Sequence, residues 1–242
     1  MKWLLSCLVT AFLTQVAAAQ PPKREPPKYA FKKDHDPNGI GKFYFDREIA
    51  QVMGYQAANW LERPERVKEE EPAKLIAALD LKEGMTVADV GAGSGYHCFL
   101  MSPLVGEKGK VIASDIQQPM LDIITAKAKQ KKVVNIQMVK GTTKDPKLPK
   151  GEVDLILLVD VYHEFEFPFE MTEKMVHALK PGGRLVFVEF RLEDPKVPIL
   201  LVHKMSEKQV RKEMAPHPLR WVETISVLPW QHIIVFAKKA DK

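Results

Sequence analysis

The segment Asp89-Val90-Gly91-Ala92-Gly93-Ser94-Gly95-Tyr96 sets three glycines at alternate positions, the first lying two residues after an acid. Glycine adopts left-handed backbone conformations without steric cost, and a bare backbone can approach a ligand closely, so such a loop can cradle a nucleotide-like molecule. In the dinucleotide fingerprint the third glycine falls five residues after the first. Here Gly95 follows Gly91 by four and Tyr96 takes the fingerprint position, which argues against a nicotinamide or flavin site. The same triplet would equally satisfy a tight turn that binds nothing. Asp115, 24 positions after Gly91, could accept hydrogen bonds from both hydroxyls of a ribose, or could cap the helix that follows it. Two further clusters carry polar chemistry, Gly141-Thr142-Thr143 and Asp160-Val161-Tyr162-His163-Glu164. His163 is the best candidate for a general base toward a hydroxyl, because imidazole titrates near neutrality, and Glu164 could orient it or act itself. A histidine that merely bonds a loop carbonyl is the other reading of His163.

These residues must be positioned by the elements around them. Short apolar, β-rich runs at 86–90, 110–114, 136–140, 153–159 and 184–190 alternate with helical stretches at 94–104, 117–131 and 168–179. That alternation predicts a parallel sheet covered by helices on both faces, and ligands of open α/β sheets collect at the carboxyl ends of the strands. The glycine loop, Asp115, Gly141-Thr142-Thr143 and Asp160 all follow such ends. Lys180-Pro181-Gly182-Gly183 closes the helix before the fifth strand. A short helix near 206–214 precedes strands at 220–227 and 231–238, whose three-residue connection permits only an antiparallel pair. Upstream, Asp46 is placed to cap a helix carrying Ile49, Val52, Met53, Trp60 and Leu61, and Pro72 to open a second, shorter one.

The ordered set of Asp89 through Gly95, Asp115, Leu158-Val159-Asp160, the Leu179 to Gly183 turn and the closing antiparallel pair resembles the class I S-adenosylmethionine-dependent methyltransferases over about residues 72–238. The resemblance implies an α/β fold with a Rossmann-like seven-stranded sheet in order 3-2-1-4-5-7-6, the last strand antiparallel. It implies S-adenosylmethionine as cofactor and a small-molecule methyl acceptor as partner. Carried over by position, Gly91, Ala92, Gly93 and Gly95 would line the cofactor's amino-acid and ribose portion and Asp89 would reach its amino group. Asp115 would hold the ribose hydroxyls, Ile116 would pack on the adenine, and Thr142 or Thr143 would lie at the adenine edge. Asp160 would face the methionine end. His163 and Glu164 carry the catalytic expectation from their own chemistry, not from the family.

Tyr162, Phe165, Phe167 and Phe169 could line an apolar acceptor pocket or fill the core, and Met53, Tyr55 and Trp60 could cover the cleft as a lid or bury a sheet edge. Arg63 and Arg66 could bind an anionic acceptor, although Glu62, Glu65, Glu69, Glu70 and Glu71 around them suit a solvated charged face. His203, His217 and His232 are too scattered for a ligand set of known spacing, so no metal is expected. Neither a Gly-x-Ser-x-Gly elbow nor a phosphate loop occurs.

With 242 residues, 45% of them hydrophobic, 28% charged and a net charge of +5, the composition is that of one globular α/β domain with a decorated terminus. The mild basic excess has no long basic helix face, so no nucleic-acid partner is expected. Cys7 and Cys98 are too few for a disulfide framework. Lys2, the apolar run from Trp3 to Phe12 and Ala17-Ala18-Ala19 read as a secretory signal peptide cut after Ala19. That run is too short for a membrane span, and the expected location is periplasmic or extracellular, with an uncleaved membrane tether as the alternative. Residues 20–42, rich in Pro, Lys and Asp, read as a tether or lightly docked arm, 43–80 as a helical cap and 81–242 as the main domain. Besides the methyltransferase, two readings stay open: an exported binding protein that keeps the fold without turnover, and a nicotinamide-dependent oxidoreductase.

Overall fold

The computed structural model describes residues 29–240. The signal-peptide reading and the first part of the tether lie outside the described residues. Strands β1 (Ala30–Phe31), β2 (Gly39–Tyr44) and β3 (Arg47–Ala50) form a small antiparallel sheet in the order β1-β2-β3. The helix expected from Asp46 is therefore absent, and β2 and β3 form a hairpin whose turn residues Phe45 and Asp46 have φ of 46° and 70°. Positive φ at both central residues matches the right-handed twist of the flanking strands, and aspartate tolerates it because its short side chain bonds locally. Asp46 is a turn former here, not a cap. Residues 29–42 do not hang free either: the Tyr29 hydroxyl donates to Glu170 at 2.6 Å, and Lys42, 4% exposed, sets its ammonium 3.4 Å from the Phe167 ring centroid. Burying Lys42 among aromatic faces replaces lost hydration with cation–π attraction.

After a short 3-10 turn come α1 (Ala58–Leu61), α2 (Arg66–Glu70) and α3 (Pro72–Ala78), with Pro72 at the start of α3. The main sheet then follows in the anticipated alternation: β4 (Thr86–Val90), α4 (Tyr96–Val105), β5 (Lys110–Asp115), α5 (Gln118–Lys131), β6 (Ile136–Lys140) and β7 (Val153–Val159). It closes with α6 (Pro168–Ala178), β8 (Leu179–Phe190), α7 (Glu207–Met214), β9 (Leu219–Ile225) and β10 (Gln231–Lys238). The order is β6-β5-β4-β7-β8-β10-β9, which is 3-2-1-4-5-7-6 in sequence of appearance, with β10 antiparallel to both neighbours. β8 begins five residues before the anticipated strand, because the chain passes through Pro181-Gly182-Gly183 without leaving the sheet.

Alternation along the strands divides the core. Val87, Val111, Leu155, Leu157 and Val186 pack with Leu75 of α3, Met101 of α4 and Ile124 of α5. Ala88, Val90, Ile156, Leu158 and Phe187 pack on the other side with Met175 of α6 and Met214 of α7. Strands buried on both faces read as continuous apolar runs, as 155–159 does. Among the described residues no helix is long and apolar enough to cross a membrane.

Candidate active site

At the carboxyl ends of β4, β5, β6 and β7 lies a cavity of about 420 Å³, a size suited to a small organic ligand. Gly91 and Gly93 form one wall with φ of 76° and 51°. A Cβ at Gly91 would stand 2.3 Å from Val161 Cγ2, and one at Gly93 would meet Leu61 Cδ1 at 2.7 Å, so each glycine admits a contact that a side chain would forbid. Gly95 and Ala92 do not line the cavity; a Cβ on Gly95 would meet Ile124 at 2.9 Å, so it serves the packing of α4 on α5.

Asp115 ends β5 inside the cavity. Its Oδ2 accepts from the Gly93 N–H at 2.9 Å and its Oδ1 from the Gln117 N–H at 2.7 Å. Asp115 thus ties the glycine loop to the chain leading into α5; the N-cap position of that helix is held by Gln117, without a side-chain cap bond, so the capping expectation for Asp115 is not met. Burial nevertheless raises its pKa. Ile116, Thr142 and Thr143 line the same cavity. Asp89 does not. It is 3% exposed and accepts from Cys98 Sγ at 3.2 Å, and burial lifts its pKa to about 6.

Asp160, with φ of 50°, lines the cavity at the end of β7. Its Oδ2 accepts from Gln231 Nε2 at 2.5 Å, while its buried Oδ1 has no partner among the described residues. Burial, with Glu70 and Glu189 nearby, pushes its pKa well up. An unsatisfied buried carboxylate oxygen is costly unless a ligand donor meets it.

His163 and Glu164 sit on a 3-10 turn (Tyr162–Glu164) and both line the cavity. His163 Nδ1 donates to Glu189 Oε2 at 2.6 Å, and the Tyr162 N–H donates to Glu189 Oε1 at 3.0 Å. Burial works to depress the His163 pKa, but the charge and hydrogen bond of Glu189 outweigh it and the pKa rises. His163 Nε2 lies 3.1 Å from His203 Nδ1, and burial beside His163 lowers His203 to about 4. Glu164 accepts from the Met53 N–H at 3.2 Å, and burial raises its pKa to about 7. The bland reading of His163 as a partner of a loop carbonyl is replaced by a carboxylate–imidazole–imidazole chain.

The fold also brings together a candidate ligand set that the sequence spacing did not suggest. His163, Glu164 and His203 each present a ligand atom within 4.8 Å of the others. His203, 40 positions from His163, comes from the 3-10 turn Leu201–His203, so no local spacing in the sequence could have announced the pair. Glu189 was visible in principle, as the single acid in the apolar run 185–190.

The segment between β3 and α2 closes the cavity through Val52, Met53, Trp60 and Leu61, while Tyr55 is exposed and lies outside the lining. Gln117 ties this cover to the sheet, accepting from the Tyr55 N–H at 2.9 Å and donating to the Met53 carbonyl at 2.9 Å. Of the four aromatic residues near His163, only Phe165 lines the cavity; Tyr162 and Phe169 are core. Arg66 does not belong to a solvated face: it is 4% exposed, lines the cavity and pairs with Glu70 Oε2 at 2.7 Å.

The profile of a family described as a methyltransferase domain matches residues 81–237. A demethylmenaquinone methyltransferase of Lactococcus lactis is 30% identical over 127 residues, 52% of this chain and 50% of the relative. A ubiquinone/menaquinone biosynthesis C-methyltransferase UbiE of Francisella tularensis subsp. novicida is 32% identical over 126 residues, again 52% of this chain and 50% of the relative. The chain thus spans about half the length of these curated relatives. The crystal structure of an S-adenosylmethionine-dependent methyltransferase from Aquifex aeolicus superposes with a TM-score of 0.73 at 27% identity, covering 77% of this chain and 100% of that one. Sheet order, glycine loop and profile agree, and the chain belongs to the S-adenosylmethionine-dependent methyltransferase-domain family.

Proposed function

We propose that the protein transfers a methyl group from S-adenosylmethionine to a small-molecule acceptor. The observation that carries this reading is the meeting of the glycine loop, Asp115 and Asp160 on the walls of one cavity. The unpartnered Asp160 Oδ1 suits a cationic amino group, and Gly91 and Gly93 present backbone to the cavity while their missing side chains leave room for Val161 and Leu61. Asp115 would accept the ribose hydroxyls, Ile116, Thr142 and Thr143 would surround the adenine, and Ala92, Gly95 and Asp89 would support the loop from outside the lining.

When bound, the cofactor supplies an activated methyl on a sulfonium. The chain's own task is then to align the acceptor in line with that methyl and exclude water, and positioning of this kind is worth roughly 7–11 kcal/mol. Met53, Trp60 and Leu61 provide the exclusion, Phe165 an apolar wall. His163 and Glu164 stand at the acceptor end. A hydroxyl acceptor would find two recipients for its proton there, the Glu164 carboxylate and, through His203, the His163 imidazole. Export after cleavage at Ala19 belongs to the same proposal and rests on Lys2, the apolar run behind it and Ala17-Ala18-Ala19.

Calorimetric titration with S-adenosylmethionine, its demethylated product and a nicotinamide dinucleotide tests the reading. Saturable binding of the first two is expected, weakened about 10- to 100-fold in Asp115→Ala through loss of hydrogen bonds to a charged group. Undiminished affinity in Asp115→Ala counts against the assigned site. Binding without methyl transfer to any acceptor in an isotope screen would favour the binding-protein reading.

A further inference from the structure

The cluster at the acceptor end holds more ligating chemistry than methyl transfer requires. A carboxylate only accepts, so the Glu189 contact fixes the Nδ1–H tautomer of His163 and leaves Nε2 as its free electron pair. His203 Nδ1 lies 3.1 Å from it, and the ligand atoms of His163, His203 and Glu164 all fall within 4.8 Å of one another. We propose that His163, His203 and Glu164 bind a divalent first-row transition ion, with zinc as the reference case, at the acceptor end of the cavity.

Three features carry this. The first is ligand type: two imidazoles and one carboxylate with a remaining position open are a donor set for catalytic zinc and related ions. The second is spacing. With Zn–N bonds of about 2.0–2.1 Å, two nitrogens in a tetrahedron stand roughly 3.3 Å apart. The 3.1 Å between His163 Nε2 and His203 Nδ1 is close to that value, so an ion can replace the shared hydrogen once the two rings turn their lone pairs toward a common point beside the N···N line. The third is outer support. Glu189, fully buried, orients His163 through its far nitrogen, and the Met53 N–H steadies one oxygen of Glu164 while the other remains for the ion. Carboxylates that orient a ligating histidine in this way raise its basicity and hold its ring.

The open position would take an oxygen of the acceptor, an enolate, phenolate or carboxylate, next to the methyl donor. Only that use of the ion rests on the proposed methyl transfer; the binding of the ion does not. The test is calorimetric titration of the metal-free full chain with Zn²⁺, with Co²⁺ as a chromophoric substitute. We expect one ion per chain and cobalt bands of a four- or five-coordinate nitrogen and oxygen site. His203→Ala, and His203→Asn with its polarity kept, should each lose at least about 100-fold in affinity. Glu189→Gln should lose about 10- to 100-fold although it never touches the ion. Equal zinc affinity and stoichiometry in wild type and both His203 variants overturns the proposal and leaves an ordinary histidine pair. S-adenosylmethionine titrated into the same wild-type samples reads the other reading separately: zinc bound without it condemns the methyl-transfer assignment alone, and the reverse condemns the metal site alone.

Discussion

Asp89 carries the acid of the glycine motif, yet it faces Cys98 in the interior and not the cavity. Its carboxyl is raised from about 3.8 to about 6 by burial, so the folded chain holds a proton there that the unfolded chain has released. The group therefore costs nothing below pH about 4, and the cost grows with pH to a plateau of roughly 3 kcal/mol above pH about 6. Asp89→Asn keeps an acceptor for Cys98 and removes that cost. In denaturant unfolding of the ligand-free protein, its stability advantage over wild type should be near zero at pH 4 and largest above pH 6; an advantage that shrinks with rising pH would refute the account. Gly91 has the opposite character, since only its lack of a side chain matters. Gly91→Ala combines a left-handed φ of 76° with a Val161 contact of 2.3 Å. It should cost about 1–3 kcal/mol in stability and abolish detectable cofactor binding in the same calorimetric assay.

Between elements, one buried ion pair joins the N-terminal hairpin to the Tyr162–Glu164 turn. Arg47 of β3 donates to Glu213 of α7 at 2.8 and 3.0 Å and to the His163 carbonyl at 3.1 Å, so three distant segments meet at one guanidinium. Glu213 is fully buried, with a further bond from Gln209 Nε2 at 2.7 Å. Arg47→Ala strands that charge and should cost about 3–5 kcal/mol in chemical denaturation. Arg47→Met combined with Glu213→Leu should regain most of the loss, because apolar replacements leave no charge behind; an additive double variant would show that the pair itself is not the cause. None of this coupling could be read from the chain. Asp46 and the apolar spacing after it fit a helix as well as a hairpin, and the hairpin is selected because Tyr44 and Ile49 find Phe169 to pack on.

For the molecule as a whole, a ligand that binds only the folded state stabilises it by mass action. S-adenosylmethionine at a hundred times its Kd should add about 2.7 kcal/mol and raise the melting midpoint by roughly 5–10 °C. An unchanged midpoint at saturation would contradict a site built into the fold. The sheet that carries this cavity was legible in the sequence: 86–90, 136–140, 153–159 and 231–238 are strands with those bounds, the three inner ones because they are mostly apolar and buried on both faces, and 136–140, half-exposed at the sheet edge, because it falls in the alternation of strands with helices. The glycine loop, Asp115 and Asp160 were legible for a related reason, because each ends or directly follows a strand and strand ends gather at one rim of a parallel sheet. The cover over the cavity, the buried Arg66–Glu70 and Arg47–Glu213 pairs, and the meeting of Glu189, His163 and His203 are different. These groups lie far apart in sequence or carry charges that ordinarily mark a surface, and only the packing of the hairpin and loops onto the rim removes them from water and brings them within bonding distance. The order of elements, and with it the glycine wall of the cavity, was determined by the sequence through local patterning; the partners of His163 and Glu164 were decided by tertiary structure, because Glu189, His203 and Met53 come from distant segments and meet them only in the folded chain.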